Sequence, residues 1–141
     1  MSEYDPNYVE EKHFYLLGSK VAIINAKNEV LLLKRSQLSQ RPGGWDLPGG
    51  AVDAKESPQD AGIREVLEET GIVISEAKLL RSEFVDTHKD PWVMFGLSAQ
   101  VDTEEVTLSW EHDEYIWVPV DQVEATELPE PYKDVVRLSQ L

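Results

Sequence analysis

Two apolar, β-branched runs, Phe14 to Ala26 and Val30 to Lys34, stand on either side of the polar triplet Lys27-Asn28-Glu29. Runs bounded in this way predict two strands joined by a turn, forming a hairpin. The following stretch, SQLSQRPGGWDLPGG, holds two prolines and four glycines, which enforce irregular backbone and predict a loop. Strand-like runs return at Lys78 to Val85 and Trp92 to Val101, linked by the turn formers of Asp86 to Pro91. A shorter one, Tyr115 to Val118, ends before Pro119, and the spacing of Val135, Val136, Leu138 and Leu141 predicts a short helix over Tyr132 to Leu141.

The best-marked element is a helix from Pro58 to Thr70. Ser57 is a favoured N-cap, Pro58 suits the first helical position, and Asp60 brings negative charge to the positive end of the helix dipole. Gly71 accepts the left-handed conformation that stops a helix. At 100° per residue Ile63, Val66, Leu67 and Thr70 form a stripe expected to pack on the sheet. Glu65, Glu68 and Glu69 gather on the opposite side, three and four residues apart. With no repeat and no low-complexity linker, the order of elements predicts one mixed α+β domain over residues 1–141.

Composition narrows the chemistry. Acids outnumber bases 27 to 13, a formal charge of −14, and so negative a surface repels polyanions: no nucleic-acid polymer is expected as a partner. No segment approaches a membrane span, and the acidic N-terminus MSEYDPNYVEEKHF does not read as a signal peptide, so a cytoplasmic protein with no membrane partner is expected. There is no cysteine, which removes disulfides, thiolate metal sites and cysteine nucleophiles. A monomer or homodimer is expected.

The acidic helix face conflicts with local stability. Like charges at i, i+4 destabilise a helix by roughly 0.2–0.5 kcal/mol per pair, and these lie in the last turns, where the dipole also disfavours anions. Arg64 is the one cation close by in the helix. A divalent cation would turn that repulsion into ligation, and oxygen ligands without Cys or His select Mg²⁺ or Mn²⁺.

Residues 50–72, GAVDAKESPQDAGIREVLEETGI, resemble the Nudix box: Gly50, Glu56, Arg64-Glu65, aliphatic Val66, Glu68-Glu69, Gly71 and aliphatic Ile72 fall at its defining spacing. WDLPGG, Trp45 to Gly50, looks like the usual approach to that box. The resemblance implies the Nudix fold, a mixed β-sheet sandwiched between helices, with the box as loop-helix-loop. It implies metal binding by Glu65, Glu68 and Glu69, with Glu65 and Glu69 the direct ligands, and by the backbone carbonyl of Gly50. By the same resemblance Arg64 orients the glutamates through a salt bridge, and Glu56 holds the loop-helix-loop in shape.

The activity implied is metal-dependent hydrolysis of a phosphoanhydride in a nucleoside-diphosphate-linked small molecule. The general base need not lie in the box; Glu111 and Glu114, in the loop before the last strand, are candidates. His112 between them reads as a solvated loop residue with phosphate contact as the alternative. Arg35 and Arg41 are candidate phosphate clamps, since guanidinium binds phosphate bidentately. Trp45, Phe84 and Trp92 could give a base a stacking surface, although aromatic residues beside strands are more often core. Neither the Pro of ADP-ribose enzymes nor the Tyr of dinucleoside polyphosphate enzymes occupies Thr87-His88-Lys89-Asp90. A (deoxy)nucleoside triphosphate cleaved to monophosphate and pyrophosphate is therefore the expected substrate. Hydrolysis of ADP-ribose, dinucleoside polyphosphates or nucleotide sugars, and a non-catalytic nucleotide-sensing domain, are the alternatives. Isopentenyl diphosphate isomerase chemistry is set aside for want of a cysteine, and an EF-hand calcium loop is absent.

Overall fold

The computed structural model describes residues 2–86 and 89–141, so Thr87 and His88, within the Asp86–Pro91 connector, lie outside the described residues. Seven strands form one sheet: β1 (Leu16–Ile24), β2 (Glu29–Arg35), β3 (Trp45–Asp46), β4 (Gly49–Ala51), β5 (Lys78–Val85), β6 (Trp92–Gln100) and β7 (His112–Pro119). Helix α1 (Pro58–Thr70) lies between β4 and β5; a 3-10 turn (Val120–Ala125) and helix α2 (Glu130–Ser139) follow β7. The sheet is mixed: β1 runs parallel to β6, while β5 and β6, β2 and β7, and β1 and β4 pair antiparallel.

Strands β1 and β2 read as nearly unbroken apolar runs because both of their faces are covered. Val21, Ile23, Leu31 and Leu33 point to one core with Val66 of α1, whereas Ala22, Ile24, Val30 and Leu32 point to the other with Val135 and Val136 of α2. This is the α+β sandwich of a mixed sheet between helices expected above.

The hairpin expectation needs correction. Strands β1 and β2 pair only at Ile24 and Val30, next to the turn. Beyond it they splay, and the Pro-Gly segment fills the gap: β3 pairs Leu33 and Lys34 of β2, and β4 pairs Gly18 to Lys20 of β1. The segment expected to be only a loop thus supplies two short strands. Their shortness leaves no alternating pattern to read. Gly49 is obligatory there, since its φ is +145° and a Cβ would stand 1.9 Å from the Ser19 carbonyl oxygen.

The caps of α1 are as the sequence predicts. Ser57 Oγ accepts the Asp60 N–H at 3.0 Å, and Gly71, at φ +74°, donates its N–H to the Leu67 carbonyl at 2.9 Å. The buried face differs. It holds Ala61, Gly62, Val66, Glu69 and Thr70, while Leu67, expected in the core, is 49% exposed. Gly62 accounts for the rotation: a Cβ there would lie 3.0 Å from Val21 Cγ2, so the helix approaches β1 through its glycine rather than through Leu67. Other elements differ in extent: β1 spans Leu16–Ile24, two residues shorter at each end than the run Phe14 to Ala26. Strand β7 begins at His112 rather than Tyr115, and α2 spans Glu130–Ser139, so it starts and ends two residues earlier than expected.

Candidate active site

Strand β4 and the chain before β7 converge on the last turn of α1. Strand β4 brings Gly49 and Gly50 against it, because β1 and β2 have opened to admit β4. The chain before β7 docks on the helix end: Ser109 donates its N–H to the Glu69 carbonyl at 3.3 Å and Thr107 to the Thr70 carbonyl at 2.9 Å. These bonds satisfy orphan carbonyls at the helix end. They also deliver Glu111 and His112 to Glu69.

Rotation of the helix splits the three carboxylates that the sequence places on one patch. Glu69 is buried, 2% exposed; its Oε1 accepts the Gly49 N–H at 3.3 Å, and its Oε2 has no hydrogen-bond partner among the described residues. Burial, opposed by Lys20 and reinforced by Glu65 and then Glu111, holds its carboxyl well above the usual carboxylate range. Glu65 is half-buried with its carboxylate on Gly50, where a Cβ would meet Glu65 Cδ at 2.7 Å. Glu68 is exposed and, among the described residues, pairs with Arg64 at 3.4 Å.

Arg64 ties the loop to the helix. Its Nε donates to Glu56 Oε2 and its Nη2 to Glu56 Oε1, both at 2.9 Å. It also donates to Glu65 Oε1 and to the Ala51 carbonyl, each at 3.0 Å. The guanidinium fork, with the Asp53 N–H, lowers the Glu56 carboxyl to about 2.

Beneath the carboxylates lies a charged group that sequence reading does not single out. Lys20, in the middle of β1, and Asp46, in β3, are both buried and paired at 2.9 Å. Asp46 Oδ2 also takes Arg35 Nη1 at 3.0 Å. Burial pulls the Lys20 ammonium down, but Asp46, the Tyr132 phenol and Glu69 together leave it above its ordinary value. The readable signal is a charge inside an apolar run: Lys20 interrupts GSKVAII, and Asp46 sits between Trp45 and Leu47. Such a residue must find a partner.

The remaining candidates separate. Arg35 is engaged by Asp46, and its Nε donates to the Arg41 carbonyl at 3.0 Å; Arg41 itself is exposed. Glu114 lies in β7 and pairs with Lys34 at 3.6 Å. Glu111, just before β7, is the one close enough to Glu69 to raise its pKa. His112 is not a solvated loop residue: its side chain is 2% exposed, and Nδ1 stands 3.6 Å from Glu69 Oε2. Burial lowers its pKa to about 4. Trp45, Phe84 and Trp92 form no common surface. Trp45 packs on the α2-side core, Phe84 is exposed on β5 against Tyr15, and Trp92 opens β6 opposite Val85.

Among the described residues no three His, Cys, Asp or Glu side chains already stand as a metal-ligating group, and Arg64 pairs with both Glu65 and Glu68. The donor set nevertheless fits a hard divalent cation. It is all oxygen, it includes the unpartnered Glu69 Oε2, and it has a side-chain-free floor at Gly50.

Comparison with known proteins agrees with this geometry. The NUDIX domain family model matches residues 15–138. The chain is 35% identical over 69 residues to the 8-oxo-dGTP diphosphatase of Proteus vulgaris, covering 47% of this chain and 62% of that one. It is 34% identical over 104 residues to the asymmetrical bis(5'-nucleosyl)-tetraphosphatase of Rattus norvegicus, covering 70% and 69%. Among solved structures, the MutT protein from Methanosarcina mazei Go1 superposes with a TM-score of 0.80 at 32% identity, covering 93% of this chain and 97% of that one. The chain spans only part of other curated relatives, 36% of one from Bacillus subtilis (strain 168) and 30% of one from Arabidopsis thaliana.

Proposed function

The chain belongs to the Nudix family, and from that premise we propose that it hydrolyses a (deoxy)nucleoside triphosphate to the monophosphate and pyrophosphate, using Mg²⁺ or Mn²⁺. The observation that carries this reading is the pair of carboxylates at the end of α1: Glu69, buried with Oε2 unpartnered, beside Glu65 seated on Gly50. We assign Glu65, Glu69 and the Gly50 carbonyl as direct ligands, with exposed Glu68 as an outer carboxylate. A bound divalent cation neutralises phosphate oxygens and lowers the pKa of a coordinated water.

The chain's own residues do the rest. Arg64 clamps Glu56 and Glu65, so the loop from β4 and the helix keep a fixed separation. The Gly49 N–H fixes one oxygen of Glu69. Glu111 is the general base in this reading, because its charge acts on Glu69 whereas Glu114 pairs with Lys34. Arg41, exposed, is available to substrate phosphates; Arg35 acts through Asp46 instead. Residues 1–141 act as one domain, monomeric or homodimeric and cytoplasmic. Among the described residues no helix is long and apolar enough to cross a membrane.

Similarity to an 8-oxo-dGTP diphosphatase favours a nucleoside triphosphate, oxidised forms included. The broader match to the rat tetraphosphatase supports a second reading, a dinucleoside polyphosphate. A panel of canonical and oxidised triphosphates, dinucleoside polyphosphates, ADP-ribose and nucleotide sugars, compared by kcat/KM with Mg²⁺ and Mn²⁺, separates them. The triphosphates are expected to lead. A tenfold preference, about 1.4 kcal/mol at the transition state, for any other class overturns the choice.

A further inference from the structure

We propose that His112 is a positioning residue for Glu69: its Nδ1–H is aimed at Glu69 Oε2 and, with the Gly49 N–H on Oε1, fixes the rotamer in which the carboxylate meets Glu65 and Gly50. The inference rests on the metal-site reading above. It starts from sequestered polar atoms. Both ring nitrogens of His112 and Oε2 of Glu69 are buried without a hydrogen-bond partner among the described residues. Buried polar atoms in that state are rare and call for an account. Here they face one another, Nδ1 and Oε2 being 3.6 Å apart.

That separation is a few tenths of an ångström beyond a normal N–H···O bond, which a small side-chain adjustment closes. The backbone aims the ring. The β2–β7 register shifts between Lys34 and Arg35, so His112 pairs with Arg35, and its N–H is held by the Ser109 carbonyl at 3.3 Å. Ser109 also donates to the Glu69 carbonyl, so one short segment sets both the imidazole and the carboxylate. At 2% exposure the ring cannot reach a phosphate in solvent, which removes the contact that sequence alone leaves open. Carboxylates that hold metals are themselves oriented by hydrogen bonds from a surrounding shell. Gly49 supplies one such bond and His112 the other.

The test reads the ring and the ion rather than turnover. In the Mg²⁺-loaded protein, where Glu69 is held as a carboxylate, long-range ¹H–¹⁵N NMR of His112 is expected to show the proton on Nδ1; a proton on Nε2 alone overturns the inference. Mn²⁺ affinity, measured by EPR on the full chain, is compared in His112→Asn, His112→Leu and Glu69→Gln. Asparagine places an N–H near the position of Nδ1 and should keep affinity close to that of the natural protein. Leucine has none and should weaken Mn²⁺ binding by about 10- to 100-fold, as loss of an outer-shell partner does. Its melting temperature is expected to fall modestly, because Glu69 Oε2 stays buried and loses its donor, so affinities are compared at a temperature where every variant is folded. Weaker binding in Glu69→Gln without any in His112→Leu overturns the role of His112 alone. Unchanged binding in Glu69→Gln overturns the metal site and the inference with it.

Discussion

Glu69 is held inside the protein at a position where its charge opposes folding. Its neighbours are a helix C-terminus and Glu65, and Lys20 offsets only part of the burial. Glu69→Gln should therefore melt at the same temperature as the natural protein or higher without metal, while turnover falls by orders of magnitude. Thermal melts and initial rates on one preparation check both halves. Undiminished turnover removes Glu69 from the site. Glu56 behaves in the opposite way. Its carboxyl is lowered from 4.5 to about 2 by the Arg64 fork, so its contribution to stability is fully present above about pH 4.5 and is lost as the pH falls toward 2. Denaturant melts of Glu56→Gln should show a deficit at pH 6 that shrinks toward pH 2.5. A deficit independent of pH would show that the fork contributes by packing alone. The box spacing is dense enough to propose Glu56, Arg64, Glu65 and Glu69 from sequence, and the structure brings these four side chains together with Gly50. The partners Lys20, Asp46 and His112 were not readable, since each is a single polar residue whose neighbours come from distant strands.

The elements show why the caps of α1 were legible and its buried face was not. Ser57, Pro58 and Gly71 act through local backbone bonds, which sequence encodes directly. The packed face was decided by Gly62, a residue without hydrophobic signal, which lets α1 settle on Val21. Two adjacent glycines give a test of what β4 does. In Gly49→Ala the methyl meets the Ser19 backbone at a positive φ, so the variant should lose at least about 2 kcal/mol of stability. In Gly50→Ala the nearest atoms to the methyl are the carboxylate end of the Glu65 side chain rather than backbone, so stability should change less than in Gly49→Ala while Mn²⁺ affinity falls as that carboxylate is displaced. Chemical denaturation of the two variants beside Mn²⁺ binding measures the contrast. Equal loss of stability in both contradicts the assigned role of Gly50.

Across the molecule, the sandwich follows from apolar runs that could only be buried on both faces, Val21 to Ile24 and Val30 to Leu33. What the runs do not specify is pairing. The hairpin gives way because β3 and β4 enter between β1 and β2, and strands of two and three residues carry no periodicity. The net charge of −14 disfavours concentrating still more anions around Glu69 unless a cation joins them. Mg²⁺ at about a hundred times its dissociation constant should stabilise the fold by about 2.7 kcal/mol, a rise in melting temperature of roughly 5–10 °C. The rise should be smaller in Glu65→Gln, and coincident melts with and without Mg²⁺ argue against the site. The most direct test is product analysis by ³¹P NMR of a nucleoside triphosphate incubated with the protein and Mg²⁺, and again after excess EDTA. The predicted result is monophosphate and pyrophosphate in a one-to-one ratio, with no conversion once EDTA is present; diphosphate with orthophosphate, or turnover that survives EDTA, contradicts the account.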